Sequence, residues 1–197
     1  MCSSTPRVPQ RQSADHRSAI EARLSVELAS VLVGARRRAA RGGDRQIDTA
    51  HLLHSLVESG PDVRAAFGDG RQVARVLGYL VQRSIGYGLR WQASVEDSGA
   101  VPVVTVEGAE REDASRGDAS LRGVSWEDAS QVPAWSPAVA AAMEGALARA
   151  EARGDVRADA LDLLAALAAD PRCRAVEVLT RAGVDPEPLA AAVPRTP

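Results

Sequence analysis

His51 and His54 stand three residues apart in QIDTAHLLHSL, a spacing that on a helix turns both imidazoles to one side, as a pair of metal ligands would be. A metal site needs a third and a fourth ligand, and the carboxylates at fixed spacing that mark metalloproteases are absent, so no metal is expected and His51 is read as structural. Cys173 follows Pro171 in a turn, where nothing marks it as a nucleophile; an inert or partly buried thiol is expected. Cys2 lies far away in a polar start, so the two cysteines form no disulfide framework. ARRRAAR (35–41) has the composition of a phosphate grip, yet on a helix its arginines spread over the polar back near the C-terminus, where positive charge is favoured without a ligand. All 24 basic residues are Arg, so there is neither a lysine nucleophile nor the lysine of a P-loop. No nucleophile, base and orienting group share one motif; the chain reads as a non-enzyme without cofactor.

The chain has 197 residues, 45% apolar and 25% charged, the balance of an ordinary soluble globular protein. Aromatics make up only 3%, so the core must come from Ala, Leu and Val, which suits closely packed helices. A net charge of −2 is too small for a dedicated nucleic-acid binder. No apolar run approaches the roughly 20 residues needed to span a bilayer, and the polar start lacks a signal-peptide core. No membrane or nucleic-acid partner is therefore expected, and a cytoplasmic monomer is the reading.

An internal repeat organises the rest. Residues 24–56 and 135–167 align without a gap at an offset of 111, sharing 12 identities over 33 positions, only three of them Ala–Ala. Ser25 and Ser136 fall where a helix N-cap belongs, with Pro137 at the favoured first position. Gly43 and Gly154 fall where that helix should stop. Asp48 and Asp159 then cap a second helix carrying Leu52, Leu53, Leu56 and Leu163, Leu164, Leu167. The first helix of each copy has one apolar stripe: Leu28, Val31, Leu32, Ala35, Ala39 against Val139, Ala142, Met143, Ala146, Ala150. Two shorter helices complete each copy, the last one capped in the second copy by Asp185 with Pro186. The expectation is all-α: two pseudo-repeated four-helix units forming one domain.

The organisation follows: a disordered tail over 1–20, a first repeat over 21–80, an insert over 81–134, a second repeat over 135–193 and a tail over 194–197. The insert reads as a β-hairpin over 90–107, with Pro102 distorting one strand, then an acidic linker over 109–134. Residues 96–130 hold nine acidic and three basic side chains, the composition of a loosely attached segment. Trp91 is expected to pack the hairpin on the helices; Trp126 lies in the linker.

The two copies resemble the amino-terminal (Clp repeat) domain of the Clp ATPases. The resemblance rests on Leu24-Ser25, Val31-Leu32, Ala35, Ala39, Gly43 and IDTAHLLHSL (47–56), and on Trp135-Ser136-Pro137, Ala146, Ala150, Gly154 and ADALDLLAAL (158–167). It covers residues 24–80 and 135–193, and no ATPase module accompanies it. The resemblance implies a stand-alone, non-catalytic module that recognises peptides, adaptors or substrates, with protein or peptide ligands and Clp ATPase or peptidase components as partners, acting as adaptor, regulator or decoy. Some members of that family bind phosphorylated arginine through a Glu in each TEH motif. Those positions are Ala50 and Leu161 here, so phosphoarginine recognition there is not expected. The family's apolar peptide surface lies near the aromatic opening the second repeat; the matching position is Trp135, with Leu24 its counterpart. The alternative is an enzyme, or a structural interaction protein, reusing the fold through the insert.

Overall fold

The computed structural model describes residues 10–84, 96 and 133–192, and the first two helices of each repeat begin where the sequence supplies caps. Ser25 opens α2 (Val26–Gly42), its hydroxyl accepting from the Leu28 N–H at 3.1 Å. Ser136 opens α6 (Pro137–Ala152), accepting from the Val139 N–H at 3.1 Å. Each hydroxyl satisfies a backbone donor that a helix start leaves without a partner. Gly43 (φ 71°) and Gly154 (φ 85°) take the left-handed conformation that stops these helices. Asp48 and Asp159 cap α3 (Thr49–Ser59) and α7 (Ala160–Ala169) through capping boxes, in which the N3 side chain, His51 or Asp162, accepts the cap residue's N–H in return. The first copy continues with α4 (Pro61–Ala66) and α5 (Gly70–Ser84), the second with α8 (Arg174–Arg181) and α9 (Pro186–Ala190), the latter capped by Asp185.

Both predicted apolar stripes are buried in full. They meet the leucines of α3 and α7, of which Leu52, Leu53, Leu56, Leu163 and Leu164 have no exposed surface. Small residues let these helix pairs approach closely. A Cβ built on Gly34 would come within 3.0 Å of the Ser55 hydroxyl, and one on Gly145 within 3.3 Å of the Ala166 methyl. The two glycines are related by the offset of 111, and so are their neighbours.

The same offset relates the only strand pairing among the described residues to an isolated bridge. β1 (Gln46–Ile47) runs parallel to β2 (Ala134–Trp135), with Ile47 opposite Trp135, and Leu24 bridges Ala158 in parallel. Ser136 N–H donates to Ile47 C=O at 2.9 Å, and Ser25 N–H donates to Ala158 C=O at 2.9 Å. Each copy's entry to its first helix is thus pinned to the segment before the second helix of the other. Apart from these short pairings the described chain is all-α.

One boundary differs from the sequence reading. Residues 10–20, placed there in a disordered tail, form with Glu21 the helix α1 (Gln10–Glu21) against α6. Ile20 is buried, His16 meets Glu144 at 2.8 Å, and Arg23, just beyond the helix, meets Glu151 at 2.6 Å. One apolar anchor with flanking polar contacts leaves too weak a periodic pattern to read from sequence. The expected hairpin (90–107), with Trp91, and the acidic linker (109–134), with Trp126, lie outside the described residues, apart from Glu96, Pro133 and Ala134.

Candidate functional site

His51 and His54 share a face of α3, as their spacing predicts, but each is engaged with acidic neighbours. His51 Nδ1 accepts from the Asp48 N–H at 3.2 Å, and its Nε2 lies 3.1 Å from Asp44. His54 is buried, with Nε2 3.2 Å from Glu58 Oε1 yet out of line for a hydrogen bond. Burial, reinforced by the Arg38 guanidinium, pushes the His54 imidazole down to about 4, so it is neutral at pH 7. Among the described residues no group of three or more His, Cys, Asp or Glu is placed to hold a metal, and no helix is long and apolar enough to cross a membrane. Within the basic run, Arg36 pairs with Glu21 at 3.2 Å and Arg38 pairs with Glu58.

The densest buried polar cluster joins the starts of three helices. Asp48 accepts from the His51 N–H at 2.9 Å and from the Arg174 guanidinium at 2.6 Å; both partners of this ion pair are more than nine-tenths buried. Thr49, the first residue of α3, donates its N–H to Glu96 Oε2 at 2.8 Å and its hydroxyl to Glu96 Oε1. Arg174, the first residue of α8, donates its N–H to Glu96 Oε1 at 2.7 Å. The Ser136 hydroxyl donates to Glu96 Oε2 at 2.9 Å while capping α6. Two helix-start amides and two hydroxyls therefore surround one carboxylate that is 4% exposed. Free amides and positive dipole ends at helix N-termini stabilise an anion in this way.

Sequence reasoning missed this cluster, since Glu96 sits among other acidic residues in a stretch read as insert. A signal was present in the repeat itself. Shifted by 111, Thr49 corresponds to Ala160 and Arg174 to Val63, so the first copy's helix start and the second copy's α8 are polar where their counterparts are apolar.

Beside the cluster runs an apolar groove of about 310 Å³ between α6 and α7. Its walls are Ala138, Ala141, Ala142, Gly145, Ala166 and Leu167, and Thr49 and Cys173 border it next to Glu96. This is the small end of the range for ligand pockets, room for a few side chains. Short side chains on both helices leave the space open. Cys173 is buried, its Sγ donating to the Leu167 carbonyl at 3.3 Å, and burial pushes the thiol up to about 11. Arg149 lies along the groove and donates to the carbonyls of Ala190 and Ala192, fastening α9.

The positions singled out from sequence are dispersed relative to this groove. Trp135, in β2, is half-buried, with the Arg17 guanidinium 5.5 Å from its ring centroid and its indole N–H buried without a partner. Leu24 is 2% exposed and packs in the core. Ala50 is fully buried in the first turn of α3, next to Thr49, and Leu161 is half-buried at the matching place in α7. Neither supplies a carboxylate; at the start of α3 the carboxylates are those of Asp48 and Glu96. Comparison with protein-family models finds none that matches the chain, and a search of curated proteins finds no match.

Proposed function

We propose that this chain is a non-catalytic peptide- or protein-binding module, built of two Clp-type four-helix repeats and serving a Clp unfoldase–peptidase system in the cytoplasm as adaptor, regulator or ligand decoy. The observation that carries the binding reading is the apolar groove along α6 and α7, open beside a carboxylate-holding cluster and lined by residues too small to fill it. The reciprocal pinning of Leu24 to Ala158 and Ile47 to Trp135 supports the two-repeat reading, because an exchange of equivalent segments is what a pair of related units closing one core requires. The repeat motifs carry the resemblance to the Clp family, and Trp135, half-buried at the entry to α6, is the aromatic anchor that resemblance places near the ligand.

A peptide array probed with the full chain tests the reading. A subset of apolar peptides is retained, and retention falls at least tenfold for Ala141→Trp, which fills the groove from an exposed position, and less for Trp135→Ala. An array that retains nothing, or retention indifferent to Ala141→Trp, overturns it. Retained peptides should also compete for the amino-terminal domain of a Clp ATPase; peptides that the Clp domain ignores would remove the Clp connection and leave a bare binding module.

A further inference from the structure

The buried carboxylate of Glu96 is unusual in what holds it. A carboxylate taken out of water costs several kcal/mol unless its oxygens are fully hydrogen-bonded, and buried carboxylates usually face a cation. Here the donors from Thr49, Ser136 and Arg174 are neutral backbone amides and hydroxyls, and the Arg174 guanidinium goes to Asp48. These donors belong to three different helices, and two of them sit on first residues whose amides would otherwise lack helical partners. The seat is thus assembled by the folded helices, and its occupant comes from a separate stretch of chain. Thr49 both donates to that occupant and borders the apolar groove, so the buried seat lies directly beside the groove.

We propose that this seat recognises an acidic side chain of a bound peptide, and that Glu96 fills it as an internal stand-in. The inference rests on the peptide-binding reading of the groove and adds the chemistry of the ligand. A peptide laying apolar side chains over Ala138, Ala142 and Ala166 brings a neighbouring Glu or Asp to Thr49, where it takes the four donors in place of Glu96. Hydrogen-bond complementarity selects this occupant: four donors point at an acceptor-only carboxylate, and an amide in its place would set its own N–H groups against them.

The experiment is fluorescence polarisation with two labelled probe sets, Leu/Ala-rich peptides carrying one Glu and the same peptides with Gln, against the full chain, Glu96→Ala and Glu96→Gln. Removing the stand-in should tighten Glu-peptide binding at least tenfold for Glu96→Ala, with Gln peptides changing less than threefold. Glu96→Gln keeps the size of the side chain and carries the test if Glu96→Ala no longer unfolds cooperatively; a Glu-specific gain of at least threefold is expected. Peptides that bind the groove with equal affinity for Glu and Gln forms, or with no gain in either variant, overturn the seat and leave the groove. Failure of every probe on all three proteins overturns both.

Discussion

Asp48 and Asp159 occupy equivalent capping positions, yet replacing each by Asn should have very different effects. Asn caps a helix as well as Asp does, so neither change loses the cap itself. At position 48 the substitution removes a charged partner of Arg174, whose guanidinium side chain is 9% exposed and loses the carboxylate 2.6 Å away. Breaking a buried ion pair from one side costs about 3–5 kcal/mol. For a chain of this size each kcal/mol lowers Tm by about 2–4 °C, so a fall of roughly 6–20 °C is expected. Asp159 has no such partner. Burial is the main influence on its carboxyl and raises its pKa, so losing the charge relieves desolvation, and the Arg153 guanidinium is committed to Asp162 and Asp155. Asp159→Asn should stay within about 1 kcal/mol of the parent. Urea unfolding followed by far-ultraviolet circular dichroism at pH 7 reads both. The double variant Asp48→Asn/Arg174→Met, which removes both charges and keeps the Arg174 amide on Glu96, should recover much of the loss. Equal losses at 48 and 159, or no recovery in the double variant, would refute the argument that the cluster is a buried charged site and not merely a capping box.

Stability should also fall with acid through His54. Its folded pKa of about 4 lies below the unfolded value near 6.5, so between these pH values the unfolded chain binds the extra proton and folding weakens as pH drops. The effect is fully developed near pH 4, is on the order of 3 kcal/mol, and is absent above about pH 7; His54→Leu should flatten that part of the stability–pH curve, and an unchanged curve would remove His54 as its cause. With its thiol near 11, Cys173 is about a thousandth thiolate at pH 8, so in a Cys2→Ser background a thiol reagent should react only as fast as the chain unfolds. Rapid stoichiometric labelling in native buffer would show the thiol to be activated. Leu164→Ala, which empties a fully buried site between the helices, should cost about 2–5 kcal/mol; a loss under about 1 kcal/mol would mean the core there is loosely packed.

Helix starts and stops were the most legible part of the sequence, because caps act locally: Ser25, Ser136, Gly43, Gly154, Asp48, Asp159 and Asp185 need only their own turn of chain to do their work. The apolar stripes were legible for the same reason, period 3.6 being a property of one helix. What escaped was long-range. α1 holds to α6 through Ile20 and a few polar contacts, and the anion seat draws Thr49, Glu96, Ser136 and Arg174 from parts of the chain up to 125 residues apart. A glutamate in an acidic run carries no mark of its burial, and a threonine at a helix start has an ordinary local use. Leu24 shows the converse: a position picked by correspondence with Trp135 packs inside, since an aliphatic side chain there completes the core under the Ala158 bridge. The groove also left no local signature, because it arises from alanines and a glycine that the pattern assigns simply to helix packing.

The most direct test of the central claim is to map where a retained peptide touches the protein. Amide chemical shifts of the isotope-labelled full chain, recorded during titration with a peptide from the array, should move for Ala138–Gly145 on α6, Ala166–Ala169 on α7, Asp170 just after it and Thr49, with Trp135 following, and should stay still in Ala141→Trp. Shifts confined to other surfaces, or shifts that persist in Ala141→Trp, would contradict the groove as the binding site and with it the proposed function.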